Sequence, residues 1–301
     1  MQHVPVLLHE VIAYLDPRPG EFVIDATIDG GGHAREILKR IGPEGMLLGV
    51  DWDRSMIEKL TLDLRRETSR VILVHGNYAD MPEILAGRKL PNADGLLADL
   101  GTSSDQLTHS GRGFSFLRDE PLLMTYDDSR KPVKQILRDL AEPELAEIIR
   151  TFGEERYAGR VARAIKEAVR AKRIETSGAL AAVVREALPR HYERGRRREG
   201  MHRIDPATRT FQALRIYANR ELENLERLLQ ALPKIMRRGG RAAFISFHSL
   251  EDRMVKTYLR NFAGSGVAEL LVKKPVRATA DEHRVNPHSR SARLRAAKFF
   301  A

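Results

Sequence analysis

Cysteine is missing altogether from the chain. That excludes disulfides and thiolate metal sites and fits a reducing, cytoplasmic setting. Also missing is any apolar run near the roughly 18–20 residues that a membrane-spanning helix needs. The N-terminal "MQHVPVLLHEVIAYL" has no basic lead and is interrupted by His9 and Glu10, so no secretory signal is expected. Repeats and low-complexity tracts are absent, one arginine-rich stretch aside. The expectation is a soluble, cytoplasmic, globular protein with no membrane partner.

What is present is 301 residues, 42% hydrophobic and 31% charged, enough for one large domain or a domain carrying an insertion. Fifty-one Lys and Arg face 41 Asp and Glu, a formal charge of +10. A basic field of this kind suits a polyanionic partner, because it steers phosphates and gains counterion release. Part of the excess lies in "REALPRHYERGRRREGMHR" (185–203), where Arg196, Arg197 and Arg198 sit between Gly195 and Gly200. It reads as a loop that contacts nucleic-acid phosphates, with a solvated surface loop as the rival reading.

Short aliphatic runs ending at Gly, Asp or Asn mark strands at "EFVIDAT", "GMLLGVD", "RVILVHG" and "ADGLLADLG", with helical patterns "HAREILKRI" and "RSMIEKLTLDLRRE" between them. Alternation at this spacing predicts a parallel sheet covered on both faces, with ligands at the carboxyl ends of its strands. From 109 to 205 the patterns are helical only, among them "PVKQILRDL", "PELAEIIRTF" and "SGALAAVVREAL", the last starting at Thr176 and Ser177. A long helix, "FQALRIYANRELENLERLLQAL", follows, then a turn at "RRGG", a strand "RAAFISF", a helix "SLEDRMVKTYLRN", and closing strands "AELLVKK" and "RLRAAKFF". The organisation predicted is an α/β domain of residues 1–108 and 206–301, split by an all-helical insertion of 109–205.

The stretch "FVIDATIDGGGHAREIL" joins a strand, a bare loop and a helix start. A phosphate P-loop is excluded, since no Lys-Ser or Lys-Thr follows the glycines. A dinucleotide fingerprint is disfavoured: Gly30 and Gly32 fit its first half, but Arg35 stands where its third glycine belongs, which counts against a nicotinamide dehydrogenase. S-adenosylmethionine remains, for which a second acid should bind the ribose. Asp51 ends the next strand about 20 residues on, where a carboxylate can accept from both hydroxyls. Capping of the following helix by Asp51 or Asp53 is the rival role.

At this point the chain resembles a known family. "HVPVLLHEV", "DATIDGGGHA", "DLGTSSDQL", "RGFSF", "FGEER", "PATRTFQALRI" and "SFHSLEDR" are similar, in order, to the signatures of the MraW family of bacterial ribosomal RNA small-subunit methyltransferases, and "NPHSRSARLRAAKF" resembles its C-terminal end. The resemblance implies a class I methyltransferase fold, Rossmann-like and mostly parallel, interrupted by a helical insertion. It implies an S-adenosylmethionine-dependent enzyme acting on the N4 amine of a decoding-centre cytidine in small-subunit (16S) ribosomal RNA. The expected partner is that RNA or the small ribosomal subunit; the oligomeric state, homodimer included, stays open. A catalytically silent RNA-binding or ribosome-assembly protein on the same scaffold is the alternative.

Carried over by motif, Gly31, Gly32 and His33 are expected at the methionine end of the cofactor and Asp51 at its ribose. Tyr78, where the family usually has Phe, is expected near the adenine or as a core aromatic. Asp99 and Gln106 are implied cofactor contacts. Exocyclic-amine methyltransferases often place an acid or amide, two prolines and an aromatic at this strand end; here the tetrad reads "DLGT". His248, Glu251 and Asp252 are candidates for gripping the target base, with helix capping as the rival role. No tight spacing such as H-E-x-x-H is present, so no metal is expected. "RGFSF" offers Arg112 to phosphate and Phe114 and Phe116 to base stacking or to a hydrophobic anchor. Two departures stand out: "PLLMTYDD" has Leu123 for an acid and Thr125 for a basic residue, and Asp29 stands where glycine is more usual.

Overall fold

The computed structural model describes residues 5–64, 70–102, 110–189, 192 and 205–300. It divides into two compact units, residues 1–101 with 222–301, and residues 102–221. The first begins with α1 (Leu8–Leu15), β1 (Phe22–Asp25), α2 (Gly32–Ile41), β2 (Met46–Asp51), α3 (Arg54–Leu64), β3 (Val71–His75), α4 (Met81–Gly87) and β4 (Ala93–Asp99). The second holds α5 (Val133–Asp139), α6 (Glu142–Gly153), α7 (Ala158–Arg170), α8 (Ser177–Ala187) and α9 (Thr208–Asn219). The chain closes with α10 (Glu221–Ile235), β5 (Met236–Ser246), α11 (Ser249–Gly264), β6 (Ala268–Leu270), α12 (Ala280–Val285) and β7 (Arg293–Phe299).

The seven strands form one sheet in the order β3-β2-β1-β4-β5-β7-β6. Strands β1 to β5 run parallel, and β7 is antiparallel to β5 and β6. This is the mostly parallel, Rossmann-like sheet that the resemblance implies. Side chains alternate along each strand, so each face receives its own apolar layer. Phe22, Ile24, Leu48, Leu96 and Phe244 pack with α4, α10 and α11 on one side, through residues such as Met81, Leu228 and Val255. Val23, Leu47, Leu97 and Ile245 pack with α1, α2 and α3 on the other, through Val11, Ile37 and Leu60. The order of strands reverses between β1 and β4, which opens a crevice at their carboxyl ends.

The long helix expected after "PATRT" is two helices. Arg220 takes φ 52° between α9 and α10, and the side chain of Asn219 donates to Met124 O at 2.8 Å and accepts from Tyr126 N at 3.0 Å. A bond to a distant segment thus stops the helix where no Gly or Pro announces it. The "RRGG" turn is also absent as such: β5 already starts at Met236, and a register irregularity against β4 absorbs the glycines. In the second unit Thr176 caps α8 by accepting from Ala179 N at 3.3 Å. Among the described residues its extended pairing is limited to a bridge between Pro121 and Thr176.

Candidate active site

The glycine loop is shaped by what surrounds it. Gly31 sits at φ 73°, and a Cβ there would come 2.8 Å from Leu60 Cδ2. A Cβ on Gly32 would meet the Pro5 ring at 3.1 Å. The N-cap of α2 is Gly31, which has no capping side chain, and a helix start of this kind suits a carboxylate. His33 is buried, and its Nε2 donates to Val6 O at 3.0 Å. That leaves Nδ1 turned toward Asp99 Oδ2, 3.8 Å away.

Four carboxylates converge at these strand ends. Asp51 accepts from Asp29 N at 2.9 Å and from Asp53 N at 2.8 Å, one bond to each oxygen. Each oxygen keeps a lone pair for another donor. The first of these bonds also accounts for Asp29: it occupies φ 42°, a left-handed position that glycine would fill without strain, and spends its amide on Asp51. Burial, partly offset by the Asp53 N–H and reinforced by the Asp29 charge, pushes the Asp51 carboxyl up to about 7. Burial likewise lifts Asp25 to about 7, aided by the charges of Asp51 and Asp29. Asp99 is held well above the ordinary range by burial and then by Asp29, Asp25 and Glu251. Among the described residues its Oδ1 has no hydrogen-bond partner.

Two contributors were not legible from sequence. Trp52, the chain's single tryptophan, stacks on Tyr78 with ring centroids 5.9 Å apart and planes 16° from parallel. The pair presents an aromatic surface directly after the ribose acid, so Tyr78 is half-buried beside the site. Asp25 is the other: the sequence marks it only as the end of a strand.

His248, Glu251 and Asp252 lie together where β5 enters α11. Glu251 closes a capping box, its Oε2 accepting from Phe247 N at 2.9 Å while His248 Nδ1 accepts from Glu251 N at 3.4 Å. His248 Nε2 lies 3.0 Å from Glu251 Oε1. Asp252 is bound by Arg295 Nε at 2.7 Å and Arg293 Nη1 at 3.0 Å. Against the cost of burial, those guanidiniums hold its carboxyl below the ordinary value. Helix capping and an arginine clamp therefore occupy both acids.

Within the second unit, Arg112 donates to Thr125 O at 3.2 Å and pairs with Asp128. Tyr126 OH donates to Glu221 at 3.1 Å, so the "TYDD" departure builds an internal network. Phe114 is buried and stacks on Tyr126 at 5.2 Å, an anchor rather than a free platform. Phe116 meets Phe211 edge-on at 5.1 Å under the Arg185 guanidinium. Gln106, Arg196, Arg197 and Arg198 lie outside the described residues.

The residues at the strand ends fit S-adenosylmethionine. The uncapped α2 start suits its carboxylate, Asp51 its ribose, and the Trp52–Tyr78 surface its adenine, while the clustered carboxylates suit its positive charge. That charge favours the ionised acids, so binding should expel protons that Asp25 and Asp51 retain below pH 7. Affinity is expected to tighten with pH by up to about tenfold per unit for each proton released, then level off above pH 7. The same raised values mean these acids stabilise the free fold most below about pH 4, a contribution lost as pH rises through 7. Titrations followed by Trp52 fluorescence between pH 5.5 and 8.5 check this; a flat profile would contradict it.

The family model described as "MraW methylase family" matches residues 1–300. A relative from Thermotoga neapolitana is 46% identical, covering 98% of this chain and 95% of its own. One from Koribacter versatilis is 45% identical over 98% and 93%, and one from Desulfosudis oleivorans 42% identical over 99% and 98%. Each of the three bears the name "Ribosomal RNA small subunit methyltransferase H".

Proposed function

The chain belongs to the MraW methylase family and is an S-adenosylmethionine-dependent methyltransferase, and from that premise we propose that its acceptor is the N4 amine of a decoding-centre cytidine in small-subunit (16S) ribosomal RNA. The name borne by relatives aligned along nearly their whole length supports ribosomal RNA as the substrate. One structural observation supports an amine acceptor: among the described residues, Asp99 Oδ1 at the end of β4 has no hydrogen-bond donor. A cytidine amine has N–H groups to give it, and a ring carbon has none.

When bound, S-adenosylmethionine supplies the electrophilic methyl group. The chain's own residues bind and align. Gly31, Gly32 and His33 receive the methionine end, Asp51 the ribose, and Trp52 with Tyr78 the adenine. Asp99 takes an amine hydrogen and so turns the nitrogen lone pair toward the methyl, and His33 beside it keeps that carboxyl in place. Cytosine's amine is not basic, so this alignment is the larger part of the catalysis. His248, braced by Glu251 at the start of α11, grips the base from the β5 side. The helical unit, with the 196–198 arginines, selects the site on the RNA.

The test mixes purified protein, labelled S-adenosylmethionine and small subunits from a strain lacking the gene, then identifies the modified nucleoside by mass spectrometry. N4-methylcytidine is expected. A methyl on a ring carbon or ribose would overturn the acceptor, and RNA binding without transfer would favour the silent assembly protein.

A further inference from the structure

The charge of this chain is not spread along it. Residues 253–300 contain eleven Lys and Arg against three acids, a local +8 where the whole chain is +10. A small pocket of about 10 Å³ between α11, β6 and β7 is lined by Lys256, Leu259, Arg260, Leu270, Lys273 and Arg295. Among the described residues, Lys256, Arg260, Lys273, Lys274 and Arg277 have no acidic partner. On α11, Asp252 is already neutralised by Arg293 and Arg295, and Glu269 is the acid on β6. Like charges gathered this way repel one another until an anion joins them.

The cations also follow a path. Beyond β6 the chain continues beside β7, with Leu271 N bonded to Ala296 O at 3.0 Å and Val276 N to Leu294 O at 3.0 Å. That direction brings Arg277 toward the level of Arg293, which pairs with Ser246 at the carboxyl end of β5. The track therefore climbs from Arg260 and Lys273 to the rim that carries His248.

We infer that this face is a docking track for the phosphate backbone of the RNA that delivers the acceptor base. The inference rests on the RNA reading above. Protection of the edge strand β6 by Lys273, Lys274 and Pro275 is a competing explanation for part of it. It does not account for Lys256 and Arg260, which are on a helix. An anionic membrane would use the same charges but has no reason to be led to the rim.

Two variants test it: Lys256→Gln/Arg260→Gln, confined to α11, and the same pair with Lys273→Gln/Lys274→Gln. Binding of a fluorescent single-stranded RNA and of unmethylated small subunits is measured against salt. Each lost contact is expected to flatten the log–log slope by about 0.7 and the fourfold variant to raise KM for subunits about tenfold or more. Affinity for S-adenosylmethionine and kcat at saturating subunits should be unchanged. Parental slopes in both variants would overturn the track, as would loss of binding to phosphatidylserine vesicles with RNA binding intact. A flattened slope with a product other than N4-methylcytidine would keep the track and reject the acceptor. Unchanged slopes with N4-methylcytidine formed would do the reverse.

Discussion

Asp51→Ala is expected to bind S-adenosylmethionine about ten- to 150-fold more weakly than the unmodified protein, a loss of roughly 1.5–3 kcal/mol. The carboxylate at the end of β2 has one lone pair per oxygen committed to the Asp29 and Asp53 amides and the others free for two hydroxyls. Alanine removes all of these acceptors. The fold should respond far less. Two backbone bonds are lost, but above pH 7 the substitution also relieves repulsion on Asp25 and Asp29. Melting temperature and affinity should therefore separate: a small change in one, a large change in the other. Calorimetry on a folded variant is the measurement. An unchanged dissociation constant would remove Asp51 from the ribose site, and Asp51→Asn, which keeps one acceptor oxygen, should fall between the two.

What the sequence made legible, and what it did not, follows from the range of the interactions. The first four strands could be read because each is a short aliphatic run closed by a local breaker, as in "MLLGVD" before Trp52. Helix α1 could not, because Leu7 and Asp16 at its ends both take left-handed dihedrals and no side chain supplies a cap. The break at Arg220 was hidden for a related reason: Asn219 satisfies backbone groups more than ninety residues away. The site shows the same division. Asp51 follows from its spacing behind the glycines. The Trp52–Tyr78 stack needs β2 and β3 to run side by side, and the unpartnered Asp99 oxygen needs the whole crevice. Asp252 looked available to a substrate because Arg293 and Arg295, which hold it, arrive on the last strand. No helix among the described residues is long and apolar enough to cross a membrane, in keeping with the absence of long apolar runs.

Replacing residues 102–221 by a short Gly-Ser linker is expected to leave S-adenosylmethionine binding within about threefold and to reduce methylation of small subunits by about 10²-fold or more. The first half of the expectation rests on where the core lies. All seven strands and both apolar layers come from residues outside the excised segment, and so do Gly31, Gly32, His33, Asp51, Trp52, Tyr78 and Asp99. A truncated chain thus keeps the groups that bury its surface and those that hold the cofactor. The second half rests on what such a crevice lacks. It can bring a methyl group and a carboxylate to a nitrogen, but every exposed cytidine offers the same nitrogen. Choosing one of them in a folded RNA requires contacts with its neighbours and with the backbone that presents it. The excised unit carries the arginine-rich 185–203 segment for that purpose. Calorimetry gives the cofactor affinity and nucleoside mass spectrometry the transfer. Weak methylation scattered over several cytidines would mean that chemistry survives and selection is lost. Full transfer to one cytidine would place selection on the remaining unit, at the His248 rim and the basic face that climbs to it.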